Sequence, residues 1–172
     1  IGFGVEHGPD ANSRRLRMDE QVQRLILTSG PADDLAFSGW RTPNAAALKA
    51  FTEHLDANGV AWTKATKDEL ALRLVEDMIH FSDSNGFRHE VYYGPKLACT
   101  RFVSPTNPDG FDTQNMGCGH IVYMPKKPLE TWDFCQKIIG LEVSDYIRQA
   151  FGPDFTAEVG FLHLNERHHS VA

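Results

Sequence analysis

Hydrophobic residues along this chain alternate between a two-residue and a helical rhythm, and the changes of rhythm mark its elements. In residues 15–28, Leu16 and Met18 precede Asp19-Glu20, and Val22, Leu25 and Leu27 follow, a pattern that predicts two strands around a turn. Residues 36–40 read as a short strand. Thr42-Pro43 then opens a helix, with Thr as N-cap and Pro at the first helical position. Ala47, Phe51 and Leu55 recur at helical spacing until Asn58-Gly59 stops the run. Residues 60–63 predict a strand, 67–72 a loop or short turn, and 77–81 with 88–93 two strands joined across Ser82-Asp83-Ser84-Asn85-Gly86.

The stretch 94–116 carries Pro95, Pro105, Pro108 and Gly110 among polar residues, the composition of a crossing between packed units. The earlier order then returns. Residues 119–124 predict a strand, Pro125 and Pro128 a break, and Trp132, Cys135 and Ile139 one face of a helix that Gly140 ends. Strands are predicted over 143–148 and 158–164, and residues 167–172 begin another. Two copies of a strand-helix-strand-strand-strand unit, about 75 residues apart, make an internal repeat. The hairpin before residue 36 reads as the tail of a third copy. The expected division is therefore 1–94, a crossing at 95–116, and an incomplete unit at 117–172.

Composition narrows the function. Hydrophobic residues make up 41% and charged residues 23% of 172, enough to build a globular core. A formal charge of -6, with 17 scattered Lys and Arg, argues against a nucleic-acid binder. No apolar run is long enough to cross a bilayer, so a membrane partner is not expected. Cys99, Cys118 and Cys135 are an odd count without a C-x-x-C pair, which fits a reducing cytoplasm better than a disulfide framework. The start at Ile1, in strand-like sequence without Met, suggests an internal fragment.

No Gly-x-Ser-x-Gly elbow, phosphate-binding Gly-Lys-Ser/Thr loop or His-Glu-x-x-His helix occurs, which leaves the histidines as candidate chemistry. Four of the eight fall in the second repeat. His120 follows Gly117-Cys118-Gly119, where glycines allow close backbone approach, and its neutral imidazole suits a transition metal. A hydrogen-bonded core histidine is the bland alternative for any lone strand His. His168 and His169 are adjacent, and strand alternation predicts that they point to opposite sides. His163 either joins the same site or faces solvent, and Asn165-Glu166-Arg167 reads as a plain hairpin tip. Glu90, near the end of the first repeat, reads as an exposed or structural carboxylate.

The repeat, Gly117-x-Gly119-His120-x-Val122 and Asn165-x-Arg167-His168-His169-Ser170-x-Ala172 together resemble the type I extradiol dioxygenases of the vicinal oxygen chelate superfamily. The segment Thr100-Arg101-Phe102-Val103-Ser104-Pro105 is similar to that family's crossing between domains. The resemblance implies an α+β fold of tandem βαβββ modules in a truncated two-domain protein. It implies cleavage, with Fe(II) and dioxygen, of a catechol ring such as that of 2,3-dihydroxybiphenyl, by a cytoplasmic homo-oligomer. His120 then matches the first ligand of a 2-His-1-carboxylate iron site, with the second His and the Glu expected beyond Ala172. His169 matches the acid/base that acts beside the metal, and Val122 and Phe161 match positions lining the ring pocket. A non-redox ligand-binding module, or an aldehyde-lyase or epoxide-opening metal enzyme of the same superfamily, is the alternative. Neither has evident need of the second histidine of the pair.

Overall fold

The computed structural model describes residues 2–114 and 116–172; Ile1 and Asn115, the latter within the expected crossing, lie outside the described residues. The chain is α+β and divides into two compact units, one of residues 1–81 and 88–114 and the other of 82–87 and 115–172.

The first unit opens with an antiparallel sheet of β1 (Gly4–His7), β2 (Ser13–Arg17) and β3 (Leu25–Thr28), so the predicted hairpin, β2 and β3, gains β1 on its other side and becomes a three-stranded sheet. Its second sheet has the order β4-β7-β6-β5, built from β4 (Phe37–Arg41), β5 (Trp62–Lys64), β6 (Asp77–Ser82) and β7 (Arg88–Tyr93). β4 and β7 run parallel, with Trp40 opposite Val91. A parallel pair cannot be joined by a tight turn, and α1 (Ala45–Ala57) lies within the crossover that the geometry requires. The helix starts later than Thr42-Pro43 implies, because the Asn44 side chain accepts from the Ala47 N–H at 3.0 Å and is the true N-cap.

Residues 67–72, expected as a loop or turn, form most of a second helix, α2 (Lys67–Arg73). The reason is a capping box: the Thr66 hydroxyl accepts from the Glu69 N–H, and the Glu69 carboxylate accepts from the Thr66 N–H at 2.8 Å. Glu69 also ties α2 to β7, since Arg88 Nη2 donates to it at 2.8 Å. The Thr66 N–H, reinforced by the Arg88 guanidinium, holds the Glu69 carboxyl at about 2, far below the usual 4.5. Glu90 proves structural, at 1% exposure, held by Arg73 at 2.7 and 3.0 Å and by Arg88 at 2.8 Å.

Phe51 of α1 packs on Phe81, and Phe81 stacks on His89 at 5.5 Å, while Leu55 is wholly buried. His89 Nδ1 lies 2.8 Å from Ser38 Oγ and 3.3 Å from Trp40 Nε1, a core histidine in a polar niche. The stretch 94–114 forms neither helix nor strand, yet it is tied down. Lys96 N–H donates to Leu74, Ala98 N–H to Glu20, Arg17 to Thr100, and Ser104 Oγ to Gly2.

In the second unit, α3 (Pro128–Phe134) continues into a π-helical turn (Cys135–Ile139) that ends at left-handed Gly140. β8 (Glu142–Ala150) and β9 (Thr156–His163) form a long antiparallel hairpin. The strands expected over 119–124 and 167–172 shrink to single bridge residues. Ile121 bridges Val171 in parallel and Val171 bridges Leu162 antiparallel. Gly117 and Gly119, both at positive φ, and the loop after β9 keep these segments from lying flat for longer. The connectivity nonetheless repeats that of β4-β7-β6-β5, with Ile121, Val171, β9 and β8 in corresponding places.

Because the Glu69 carboxyl is depressed in the folded state, its contribution to stability is complete above pH 4.5 and disappears as pH falls towards about 2. Urea denaturation across that range is expected to show a shallower acid loss in Glu69→Gln than in the parent. Equal slopes would show that the capping box does not set the acid response.

Candidate active site

The second unit gathers its histidines by backbone pairing that the two motifs themselves brace. Ile121 N–H donates to the Ser170 carbonyl at 3.0 Å and Ala172 N–H to the Ile121 carbonyl at 3.0 Å, so the residues flanking Ile121 meet those flanking Val171. Asn165 and Arg167, expected as a plain hairpin tip, reach across to the glycine loop. Asn165 Nδ2 donates to the Met116 carbonyl and Arg167 Nη2 to that of Gly117, each at 3.4 Å. The Asn165 carboxamide oxygen also accepts from the Arg167 N–H at 3.0 Å and sets the turn. The polar spacing of Asn-x-Arg was the sequence signal for these tethers.

On the other side of Ile121, Tyr123 donates to Asp83 at 2.6 Å and stacks on Phe87 at 5.2 Å. Burial, and then the Asp83 carboxylate, push the Tyr123 phenol well above its ordinary value, so it stays a donor. Asn85 joins Thr131 at 2.7 Å and accepts from the Lys127 N–H at 3.0 Å, which fixes the start of α3. Burial pushes the Cys135 thiol up to about 12, which removes it as a thiolate ligand or nucleophile.

The rings of His120 and His169 lie 4.3 Å apart, and Phe161 of β9 meets His169 edge-on at 4.9 Å. His168 is brought in as well. Its Nδ1 is 3.0 Å from His169 Nδ1 and its ring is 5.6 Å from Phe161. The expectation that the pair points to opposite sides fails because residues 164–169 are irregular backbone and not strand, so alternation does not apply. Burial, then the neighbouring His120, His168 and Arg167, hold the His169 imidazole below its ordinary value. That ring is therefore neutral at neutral pH. His120 is exposed, and Val122 is 60% exposed on the same segment. His163 stands apart from the cluster, with Ser144 as its partner.

Among the described residues, no group of three or more His, Cys, Asp or Glu is placed to hold a metal ion. The ring neighbour of His120 is His169. The described residues thus do not by themselves complete a 2-His-1-carboxylate iron site.

Known proteins resemble the chain along most of its length. No protein-family model matches the chain. A biphenyl-2,3-diol 1,2-dioxygenase of Metapseudomonas furukawaii is 35% identical over 98% of this chain, and an iron-dependent extradiol dioxygenase of Rhodococcus jostii (strain RHA1) is 34% identical over all of it. The crystal structure of BphC, a halotolerant catechol dioxygenase, superposes on 99% of the chain with a TM-score of 0.89 at 30% identity. The chain is similar along its length to extradiol dioxygenases. It spans 56% and 59% of the lengths of the two relatives and 55% of the solved chain. Its fold, an α+β arrangement of tandem βαβββ modules, is shared with that catechol dioxygenase structure.

Gly160, beside Phe161, has no room for a side chain, because a Cβ there would fall within the Trp132 ring. Gly160→Ala is expected to cost about 1–3 kcal/mol through overpacking between β9 and α3, read by urea denaturation with Trp fluorescence. An unchanged midpoint would show that Trp132 moves aside freely.

Proposed function

We propose that this protein is an extradiol dioxygenase, opening a catechol such as biphenyl-2,3-diol beside its hydroxyls with Fe(II) and dioxygen. The observation that carries the reading is the 4.3 Å apposition of His120 and His169 against Phe161, reached from two distant motifs. Similarity to extradiol dioxygenases along the whole chain supports it. In this reading, residues 117–172 are the catalytic portion, with 1–94 and the crossing at 95–116 as its companion domain.

His120 is proposed as one metal ligand. An iron site of the 2-His-1-carboxylate kind needs further donors beside His120, a carboxylate among them, and no group of three or more His, Cys, Asp or Glu among the described residues is placed to supply them. Iron, when bound, supplies the redox chemistry that joins dioxygen to an aromatic ring. His169 is proposed as the acid/base: its Nδ1 faces His168, which leaves Nε2 to take a proton from substrate and return it. Phe161 and Val122 offer apolar surface to the ring, and the edge of Phe161 limits how the His169 imidazole turns. A cytoplasmic homo-oligomer completes the proposal, supported by three free thiols as far as the compartment goes. No helix among the described residues is long and apolar enough to cross a membrane.

His120→Ala in the complete enzyme is expected to abolish stoichiometric iron, measured by elemental analysis of purified protein. His169→Gln is expected to keep iron but slow formation of the yellow ring-cleavage product by about 100-fold. Iron retained at the parent ratio in the first variant would remove His120 from the ligand set, and an undiminished rate in the second would remove His169 from the chemistry.

The 172-residue polypeptide alone, given ferrous iron, air and 2,3-dihydroxybiphenyl, is expected to yield no yellow product. Absorbance settles this, and turnover near the complete enzyme's rate would show that the donor set here is sufficient.

A further inference from the structure

We infer that Ser144, His163 and Glu142 form a nucleophilic serine site, separate from the His120 cluster, that reacts with small uncharged activated esters. The pairing of β8 with β9 shifts register between Val143 and Asp145, leaving Ser144 as the extra residue of a β-bulge. Bulges re-aim a side chain that regular alternation would direct elsewhere. Here Ser144 Oγ lies 2.6 Å from His163 Nδ1. The other ring nitrogen, Nε2, is 3.9 Å from a Glu142 carboxylate oxygen, and Glu142 is the Cα partner of His163 across the hairpin.

The three groups have the polarity that an activated hydroxyl needs. A serine is a poor nucleophile until a base within hydrogen-bond reach removes its proton as the new bond forms, and that base works best when a third group orients it. The Glu142 carboxylate favours the His163 tautomer with its proton on Nε2, which turns the Nδ1 lone pair to Ser144. It also stabilises the imidazolium that appears when His163 takes the serine proton. At 3.9 Å this is charge attraction and not a hydrogen bond, so Glu142 contributes less than His163.

A cavity of about 400 Å³ adjoins the site, lined by Gly140, Glu142, His163, Leu164, Asn165 and Glu166. Its volume suits a small ligand. Two carboxylates on its wall repel anionic electrophiles, which selects uncharged acyl or phosphoryl donors. With an aryl ester, the Ser144 Oγ–acyl carbon bond forms, the bond to the aryl oxygen breaks, and the serine proton passes through His163 to the departing aryloxide. With a fluorophosphate, the Oγ–P bond forms, the P–F bond breaks, fluoride leaves and His163 holds the proton.

The test is diisopropyl fluorophosphate on the purified protein, with mass spectrometry of the intact chain and of its peptides. One diisopropylphosphoryl group on Ser144 is expected, and none in Ser144→Ala. His163→Gln should slow the modification by about 100-fold and Glu142→Gln by about 10-fold, with far-UV circular dichroism confirming that each variant is folded. No adduct, an adduct on another residue, or a rate unchanged in His163→Gln would overturn the assignment. If His163→Gln fails to fold, Glu142→Gln decides, and a rate equal to the parent's overturns it likewise.

Discussion

Parallel pairing between the first and last strands of each repeated unit is the constraint on which the rest of this molecule depends. It ties Phe37–Arg41 to Arg88–Tyr93 in the first unit and Ile121 to Val171 in the second. Such pairing requires a long crossover, which is why a helix and a hairpin intervene in both. It also brings residues far apart in the chain into one neighbourhood. The glycine-histidine segment and the Asn-x-Arg-His-His run meet because Ile121 and Val171 share backbone hydrogen bonds.

The parallel pair has different neighbours in the two units. In the first unit Trp40 pairs with Val91, with Glu90 one residue before it, and in the second Ile121 pairs with Val171, with His169 two residues before it. Glu90 is buried under two guanidinium groups, with Arg73 also lying over Phe37 at 4.0 Å. Every oxygen of that carboxylate is engaged, so the first unit spends the position on cohesion. In the second unit the His169 imidazole near the pair has one nitrogen against His168 and rings on two other sides. A single architecture therefore serves as scaffold in one copy and as a reactive surface in the other, and the difference lies in a few side chains.

Much of this was legible before any coordinates. Elements such as α1, β6 and β7 fell close to their expected positions because each is bounded by a local signal, such as Asn58-Gly59 after α1 or the Ser82–Gly86 turn before β7, whereas β1 was not expected. The Thr66-x-x-Glu69 capping box was equally local and was passed over for the polar composition of its helix. His120 and His169 stood out through their motifs. The alternation rule misplaced His168, because it presumes a strand that the loop after β9 does not form.

By itself the sequence determined the order of elements, the internal repeat and the residues that carry its motifs, since periodicity, turn residues and caps act over a few positions. Only the tertiary structure decided which of those residues meet. The His120–His169 contact and the burial of Glu90 depend on strand register, and the Ser144–His163 bond on register and on one bulge. Register is fixed by how whole faces pack together, and a shift of one residue turns every side chain to the opposite face.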